Sequence, residues 1–303
     1  MTKDLRIVVM GTPEFAVPSL EILVENGFNV VGVITAPDKK AGRGQKVRMS
    51  AVKESAVKHN LNVLQPTNLK SPEFIEELKA LHANLQIVVA FRMLPEIVWD
   101  MPEIGTFNLH GSLLPQYRGA APINWAIING EKETGVTTFF LKHQIDTGDL
   151  ILQEKETILE EDNVGTVYER LMKKGSKLVL KTVKQIALGE IKTSPQDESK
   201  EIKHAPKIFK ETCKINWSKS ASKNYNFIRG LSPYPCAWTT LNDKTLKIYK
   251  AVKTEETVTE PILTDNKTFL KFACNDSYLS LKEIKLEGKK RMNIEDFLRG
   301  YRI

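Results

Sequence analysis

Residues 105–150 read GTFNLHGSLLPQYRGAAPINWAIINGEKETGVTTFFLKHQIDTGDL, and the rest of the chain is arranged around them. Apolar runs at 106–110 and 135–141 predict two strands, separated by a Pro- and Gly-rich segment that cannot continue as regular structure. Asn108 and His110 are two residues apart, so their side chains point to the same face of a strand. Asp146 follows the second strand in the turn Asp-Thr-Gly-Asp, which presents a carboxylate. An amide, an imidazole and a carboxylate thus lie at the ends of predicted strands.

Each of these three residues also has an ordinary structural interpretation. A histidine at a strand end is often a hydrogen-bonded structural residue, and an aspartate in an Asp-Thr-Gly turn usually forms the turn. The combination of all three around a Pro- and Gly-rich loop favours an active site. We therefore take Asn108, His110 and Asp146 as the candidate catalytic residues.

Upstream, apolar strand patterns alternate with helical ones. Residues 5–10 and 29–36 predict buried strands that flank a helix at 15–26, which is a βαβ unit. Further helices are predicted at 50–59, 72–82, 123–129 and 164–188, and further strands at 63–64, 85–91 and 149–158. The alternation predicts an α/β domain with a parallel sheet. No G-x-G-x-x-G follows the first strand, so a dinucleotide site is not indicated.

Beyond Gly189 the composition changes. Residues 193–207 are polar and charged, which is typical of a linker. Short β-patterns follow at 237–241, 246–252, 268–274 and 278–286, with a closing helix at 293–299. Strands at this spacing predict a small barrel, and five-stranded barrels of the OB type commonly bind nucleic acids. We expect a catalytic domain at 1–192, a linker at 193–206 and an OB-like domain at 207–303.

The chain carries a net charge of +7, concentrated towards its end. From Lys203 onward there are 20 lysines and arginines against 11 acidic residues. This surplus fits either a polyanionic partner or a solvated lysine-rich surface. The cysteines, Cys213, Cys236 and Cys274, are odd in number and far apart, so neither a disulfide framework nor a metal site is expected. With no signal-peptide pattern and no apolar run of membrane-spanning length, we expect a cytoplasmic protein, and a monomer.

A basic loop covers residues 36–50, APDKKAGRGQKVRMS. Its basic residues are Lys39, Lys40, Arg43, Lys46 and Arg48. The loop is either a solvated, mobile connection or a basic finger for nucleic-acid phosphate. Its length favours the functional interpretation, because connections between strands and helices in such domains usually take only a few residues.

The stretch around the catalytic candidates resembles the signature of the folate-dependent formyltransferases. The matching elements are Asn-x-His, Ser-Leu-Leu-Pro-x-Tyr-Arg-Gly, Thr-Gly-Val-Thr and Asp-x-Gly, and the match is long and gapless. The resemblance implies a Rossmann-like parallel-sheet N-terminal domain followed by an OB-like β-barrel. It also implies transfer of a formyl group from 10-formyltetrahydrofolate, as co-substrate, to an amine.

Three further stretches resemble the group of this family that formylates methionine on initiator Met-tRNA. They are RIVVMGTPEFAVPSLEIL at the start, the loop PDKKAGRGQKV, and NWSKSASKNYNFIRGLSPYPCAWTTL in the second domain. The resemblance implies that Asn108, His110 and Asp146 are catalytic. It places the folate at Ser112, Leu113, Leu114 and Pro115. It places the tRNA acceptor end at the basic loop, with Arg43 as the contacting arginine and Lys39, Lys40 and Lys46 beside it.

The residue types suit this chemistry. Attack of a neutral amine on a formyl carbon creates an anionic oxygen, to which Asn108 and a protonated His110 can donate hydrogen bonds. A histidine changes protonation near neutral pH, which suits proton transfer. Asp146 either orients the imidazole or accepts the proton of the amine, and the sequence leaves both roles open.

The sequence leaves the role of Arg92 open. The family often has Ala-Tyr-Gly-x-x-x-Pro after the central strand, whereas this chain has Ala90-Phe91-Arg92-Met93-Leu94-Pro95, one residue shorter and without the glycine. Arg92 is therefore either structural or directed at the ligand.

The competing functions are a formyltransferase for an amino sugar or nucleotide amine, and a non-catalytic RNA-binding protein. The basic loop and basic second domain favour tRNA, and the intact catalytic candidates favour an enzyme.

Overall fold

The structure, a computed structural model, describes residues 4–41, 46–199 and 201–303, without the side chains of residues 40, 41 and 46. Its strands are β1 (Arg6–Gly11), β2 (Asn29–Ile34), β3 (Lys39–Ala41), β4 (Lys46–Arg48), β5 (Val63–Leu64), β6 (Leu85–Val89), β7 (Gly105–His110), β8 (Arg118–Gly119), β9 (Glu133–Phe140), β10 (Leu150–Thr157), β11 (His204–Ala205), β12 (Ala237–Leu241), β13 (Lys244–Lys253), β14 (Ile262–Thr264), β15 (Leu270–Ala273), β16 (Tyr278–Leu286) and β17 (Met292–Asn293). Its α-helices are α1 (Val17–Glu25), α2 (Ala51–Lys58), α3 (Pro72–Ala80), α4 (Glu96–Trp99), α5 (Pro122–Ile128), α6 (Val164–Leu188), α7 (Ala221–Leu231) and α8 (Ile294–Arg299).

The chain forms two compact units. The first comprises Met1–Arg118, Gly135–Glu156 and Glu169–Lys203, and the second comprises Gly119–Thr134, Thr157–Tyr168 and His204–Ile303. In the described part of the chain, no helix combines the length and the apolar character needed to cross a lipid bilayer.

A seven-stranded sheet forms the centre of the first unit, in the order β10–β9–β7–β6–β1–β2–β5. The five strands from β7 to β5 run parallel to their neighbours, and β9 runs antiparallel to β7. Strands β1 and β6 are buried almost throughout, as expected when helices cover both faces of a parallel sheet. The predicted α/β domain with a parallel sheet is confirmed.

The helices of this unit begin where the sequence provides caps. The hydroxyls of Ser50 and Ser71 accept hydrogen bonds from Lys53 N and Phe74 N, at 3.0 and 3.4 Å. These bonds satisfy amides that have no partner inside α2 and α3. On one face of the sheet, an apolar cluster joins the strands to α3, and its buried members are Val8, Met10, Ile34, Leu69, Phe74, Ile75, Leu78, Val88 and Val98. The rigid sheet holds the functional loops described below.

The direction of β9 determines how Asp146 can reach His110. In the antiparallel pair of β7 and β9, Phe107 is opposite Phe140, and His110 is opposite Thr137. The end of β9 therefore lies beside the beginning of β7, away from His110. Residues 141–149 have to fold back towards His110 before β10 begins. Whether the three catalytic candidates come together thus depends on the conformation of this loop. The positions of the strands alone do not determine that conformation.

The second unit contains a six-stranded antiparallel sheet, with the path β12–β13–β16–β15–β14 and β17 paired to β16. The fold class predicted for this part of the chain, a small OB-like β-barrel, is confirmed. Its inward side chains alternate along the strands, as with Leu246 and Ile248 on β13. The structure also contains α7, which the sequence analysis did not predict. Ile228 and Leu231 of α7 are buried in the same apolar cluster as the sheet.

The sequence predicted no regular secondary structure in the basic loop, which was interpreted as either a solvated, mobile connection or a basic finger. Its two sides form a β-hairpin in which Lys39 pairs with Arg48 and Lys40 with Val47. The side chains of Lys39 and Val47 are exposed. Arg43 lies outside the described residues, and so do the side chains of Lys40 and Lys46, so their predicted contact with tRNA remains a prediction.

Candidate active site

His110 is buried at the end of β7 and is held by the main chain of the following loop. Its Nε2 lies 2.9 Å from Tyr117 O. Because a carbonyl oxygen can only accept, Nε2 carries the hydrogen and donates it. The other ring nitrogen, Nδ1, faces Asp146, with 3.9 Å between Nδ1 and Oδ2. The side chains of His110 and Asp146 are only 7% and 12% exposed, so this pair interacts in a largely desolvated environment.

The spacing of this pair matters for its chemistry. At 3.9 Å the two atoms are too far apart for a direct hydrogen bond but close enough for an ion pair. When the imidazole is neutral, Nδ1 and the carboxylate are both acceptors. An N–H group entering between them could donate to either atom. When the imidazole is protonated, the carboxylate stabilises its charge.

The loop that carries Asp146 is held at several points. Asp146 has a positive φ of 56°, a conformation that non-glycine residues seldom adopt. Thr147 Oγ1 donates to Gln144 O at 3.0 Å, and the carboxylate of Asp149 accepts from Lys142 Nζ at 2.8 Å. A Cβ on Gly148 would come within 1.5 Å of Phe140 O, so only glycine allows the loop to fold this closely against β9.

Asn108 lies on the same strand as His110, two residues earlier, and it is partly exposed. The structure therefore places the amide and the imidazole on one face of β7, as the spacing predicts. Across the described residues, no group of three or more His, Cys, Asp or Glu side chains is arranged to hold a metal ion.

The segment Ser112–Pro115 forms a tightly bonded turn next to His110. Thr137 Oγ1 donates to Ser112 O at 2.6 Å and accepts from Leu114 N at 3.2 Å. Gln153 Nε2 donates to Leu114 O at 2.8 Å. Ser112 and Leu114 are buried, whereas Leu113 and Pro115 remain partly exposed. Thr137 is the last residue of the quoted Thr-Gly-Val-Thr stretch, and the sequence analysis did not assign it a role.

Arg92, whose role the sequence left open, binds main-chain carbonyls. Its guanidinium donates to Thr67 O at 2.9 Å and also to Pro66 O. The same group lies 5.7 Å from the centre of the Phe91 ring. These contacts assign Arg92 a structural role, because they join the segment after β6 to the segment after β5.

The base of the basic hairpin is held by one hydrogen-bonded cluster. Lys53 Nζ donates to Asp38 Oδ2 at 2.6 Å and to Gln65 Oε1 at 2.7 Å. Gln65 Nε2 donates to Asp38 Oδ1 at 2.8 Å and to Ala36 O at 2.9 Å. The hydrogen bonds from Lys53 and then Gln65 lower the pKa of the Asp38 carboxyl below its ordinary value. The hairpin therefore starts from a fixed base on α2.

Two family models match this chain. The model described as formyl transferase matches residues 5–183, and the model described as formyl transferase, C-terminal domain, matches residues 207–302. The chain belongs to the formyltransferase family. All three catalytic candidates of this formyltransferase lie inside the first match, and its six-stranded sheet lies inside the second.

Similar chains with curated names support the same family. Methionyl-tRNA formyltransferase from Bacteroides fragilis is 54% identical over 312 residues, covering 99% of this chain and 96% of the relative. The proteins of that name from Parabacteroides distasonis and Phocaeicola vulgatus are 56% and 57% identical, and each alignment covers 99% of this chain and 97% of the relative.

Solved structures with the same fold are more distant in sequence. WlaRD, a sugar 3N-formyltransferase, matches with a TM-score of 0.69 and 20% identity, covering 95% of this chain and 100% of that one. HypX from Aquifex aeolicus, in complex with tetrahydrofolic acid, matches with a TM-score of 0.66 and 18% identity, covering 98% of this chain and 48% of that one. At these identities the likeness establishes the fold.

Proposed function

We propose that this formyltransferase transfers the formyl group of 10-formyltetrahydrofolate to the α-amino group of methionine on initiator tRNA. The observation that carries the proposal is the largely desolvated pair of His110 and Asp146, within a chain more than half identical over nearly its full length to methionyl-tRNA formyltransferases. A cytoplasmic location follows from a charged tRNA as substrate. The boundaries of the family matches support a division into a catalytic part, a linker at 193–206 and a C-terminal part that binds tRNA.

In the proposed reaction the neutral amine attacks the formyl carbon, and a C–N bond forms while the carbonyl π electrons move to oxygen. The Asn108 amide donates a hydrogen bond to this oxyanion. Removing one such donor usually costs roughly 100- to 1,000-fold in rate. The intermediate then collapses, the bond to N10 of the folate breaks, and tetrahydrofolate leaves with a proton.

The proton of the attacking amine goes to the His110–Asp146 pair. Nδ1 faces the carboxylate while Nε2 is engaged by Tyr117 O, so Nδ1 is the nitrogen available to accept it. Asp146 then stabilises the imidazolium that forms. This assignment favours an orienting and charge-stabilising role for Asp146 over direct proton abstraction, which was the alternative.

The folate is proposed to bind beside the turn Ser112–Pro115. The buried hydroxyl of Ser112 donates to Gln116 O, and Leu114 is bonded through Thr137 and Gln153. The partly exposed Leu113 and Pro115 are therefore the members of this turn available to contact a ligand. The basic-loop residues Lys39, Lys40, Arg43 and Lys46 are proposed to meet the tRNA acceptor end, and the basic C-terminal part to supply further phosphate contacts.

The test is a formylation assay with 10-formyltetrahydrofolate and charged initiator tRNA, with a charged elongator tRNA and a dTDP-linked amino sugar as control acceptors. We expect formylmethionine to be released from the initiator tRNA after deacylation, with much less from the elongator and no formylated sugar. Formylation of the sugar alone would replace the proposed acceptor, whereas no product from any acceptor would exclude the reaction.

A further inference from the structure

The segment that follows α6 runs along the loop that carries Asp146. Ser194 pairs with Leu150 through two main-chain hydrogen bonds, of 2.8 Å from Leu150 N and 3.0 Å from Ser194 N. Two residues later, Gln196 reaches the loop itself. From the sequence alone, this polar stretch was interpreted as a linker, and none of its residues was predicted to have a functional role.

The side-chain amide of Gln196 is fully engaged. Its Nε2 donates to Asp146 O and to Gly148 O, each at 2.8 Å. Its Oε1 accepts from Arg118, at 3.1 Å from Nε and 2.7 Å from Nη2. Both amide hydrogens are thus used on the two carbonyls that flank Thr147. A glutamine is suited to this position because one planar group supplies two donors on one side and an acceptor on the other.

Arg118, which donates to the oxygen of this amide, is itself held in place by its surroundings. The Arg118 side chain is only 11% exposed, and its Nη2 also donates to Glu198 Oε1 at 2.7 Å. Its planar guanidinium contacts Oε1 of Gln196 with two nitrogens, which restrains the orientation of the amide.

The chain order links Arg118 to the catalytic pair. Arg118 follows Tyr117, whose carbonyl accepts the hydrogen of His110 Nε2. The dipeptide Tyr117-Arg118 therefore holds His110 directly and holds Asp146 through Gln196. The contacts that hold the two groups, whose Nδ1 and Oδ2 atoms are 3.9 Å apart, thus end at adjacent residues.

Asp146 needs such support. It has a positive φ, and β9 ends beside the beginning of β7, whereas His110 is at the end of β7, so the loop must fold back towards His110. A residue in this backbone conformation persists where its surroundings hold it there. Gln196 bonds the carbonyl of Asp146 itself and leaves the carboxylate to face His110.

We propose that Gln196 is a positioning residue for the formyl transfer reaction, which sets the conformation of Asp146 and so its distance from His110. The inference rests on the proposed function and on the catalytic role of Asp146. A residue that only stabilised the first unit would make the same hydrogen bonds. The test must therefore distinguish a loss of stability from a loss of turnover.

The most informative change is Gln196→Glu. It keeps the length of the side chain and the acceptor for Arg118, but it removes both N–H donors and sets a carboxylate against two carbonyls. We expect kcat to fall roughly 10- to 100-fold, because displacing a catalytic group by about an ångström has effects of this size. The KM values for 10-formyltetrahydrofolate and Met-tRNA should stay within about twofold of wild type, because Gln196 contacts neither proposed binding surface.

Two further variants complete the set. Gln196→Ala removes the same bonds without adding charge, and it decides the question if the glutamate variant does not fold. Gln144→Glu is the matched control, because it adds the same charge to an exposed position of the same loop. Its kcat should stay within about twofold of wild type. Thermal melting of each variant shows whether the fold is retained.

A double-mutant cycle with Asp146→Asn isolates the positioning role, measured in single turnovers with excess enzyme. If Gln196 acts through Asp146, Gln196→Ala should cause little further loss in the Asp146→Asn background. Full additivity, an unchanged kcat in the folded Gln196 variants, or an effect confined to KM would each overturn the inference. An inactive wild-type protein would instead refute the proposed function, and an active Asp146→Asn would refute the catalytic role of Asp146.

Discussion

The His110–Asp146 pair and the basic hairpin formed by β3 and β4 belong to the same unit, but they are constructed differently. The side chains of the pair are only 7% and 12% exposed. His110 Nε2 donates to Tyr117 O, and the main-chain carbonyl of Asp146 accepts from Gln196 Nε2. In the hairpin, Val47 is 63% exposed, and the described side-chain bonds lie at the base, around Asp38 and Lys53. Catalysis requires atoms at fixed distances, whereas phosphate contacts can be made by long charged side chains in solvent. The two regions should therefore respond differently to mutation.

The largest effect is expected from the pair itself. His110→Ala should lower kcat at least about 1,000-fold, because it removes the group proposed to accept the proton of the amine and removes the imidazole that faces Asp146. Asp146→Asn should lower kcat nearly as much, and Asn108→Ala about 100-fold or more through the oxyanion. The measurement is kcat for Met-tRNA together with its binding affinity, which should remain close to that of wild type.

His59→Ala is the matched control. His59 is the C-cap residue of α2 and is not among the catalytic candidates, so this variant should leave kcat unchanged. Turnover near wild type in any of the three active-site variants would remove that residue from the catalytic set. A loss of tRNA affinity equal to the loss of kcat would show that the pair and the hairpin are not functionally distinct.

The next effect concerns the loop that presents Asp146. Gly148→Ala should lower kcat about 100-fold and destabilise the first unit by about 1–3 kcal/mol, because the added Cβ would overlap Phe140 O and the loop would have to move. Gly300→Ala serves as the control, since a Cβ there meets no atom within 4 Å. Kinetics and thermal unfolding of both variants check this. An active Gly148→Ala enzyme would show that Asp146 tolerates displacement.

A smaller effect is expected from the basic loop of residues 36–50. Arg43→Ala should lower kcat/KM for Met-tRNA roughly 10- to 100-fold, with part of the loss in kcat, while the affinity for folate stays unchanged. Arg43→Lys should recover only part of this, because lysine cannot copy the planar geometry of a guanidinium on phosphate. Measurements at two salt concentrations separate positioning from general attraction, which weakens with salt. An unaltered kcat/KM in Arg43→Ala would exclude any role for this arginine.

The smallest effect on activity is expected from Cys236, a buried residue that is not among the catalytic candidates. Burial raises the pKa of the Cys236 thiol from 9.0 to about 11, although Lys247 and Arg291 act in the opposite direction. We therefore expect this thiol to react slowly with iodoacetamide at pH 8 in the folded protein, and Cys236→Ala to retain full formylation activity.

The same shift predicts how stability depends on pH. Because the folded pKa is above that of the unfolded chain, the stabilisation is fully present below about pH 9 and is lost as the pH rises through about 11. The loss amounts to about 2–3 kcal/mol at most. Unfolding free energies at pH 8 and pH 11 should differ less in Cys236→Ala than in wild type. An equal difference in both proteins would assign the alkaline loss to other groups.

The elements that were predicted well are those whose signal is local. The buried strands of the parallel sheet are short runs of branched apolar residues, and α2 and α3 start at serine caps that are visible in the chain. The helix α7 was missed although it starts at a serine cap, Ser220, as α2 and α3 do; the residue in it that disfavours a helix is a glycine near its end. In the structure that glycine, Gly230, lies against α5, where a Cβ would come within 2.6 Å of Ile128. Glycine suits this position because α5 and α7 approach each other closely there, and local helix propensity does not record such a contact.

The sequence by itself determined which residue types are available for the chemistry, where the apolar strands lie, and that Asn108 and His110 share a face. The tertiary structure decided the rest: which nitrogen of His110 faces Asp146, that Arg92 binds the carbonyls of residues 66 and 67, and that Gln196 holds the Asp146 loop. These contacts join residues from about 7 to 50 positions apart in the chain. A sequence pattern reports periodicity over a few residues, whereas an active site depends on distances that appear only when separate segments pack together.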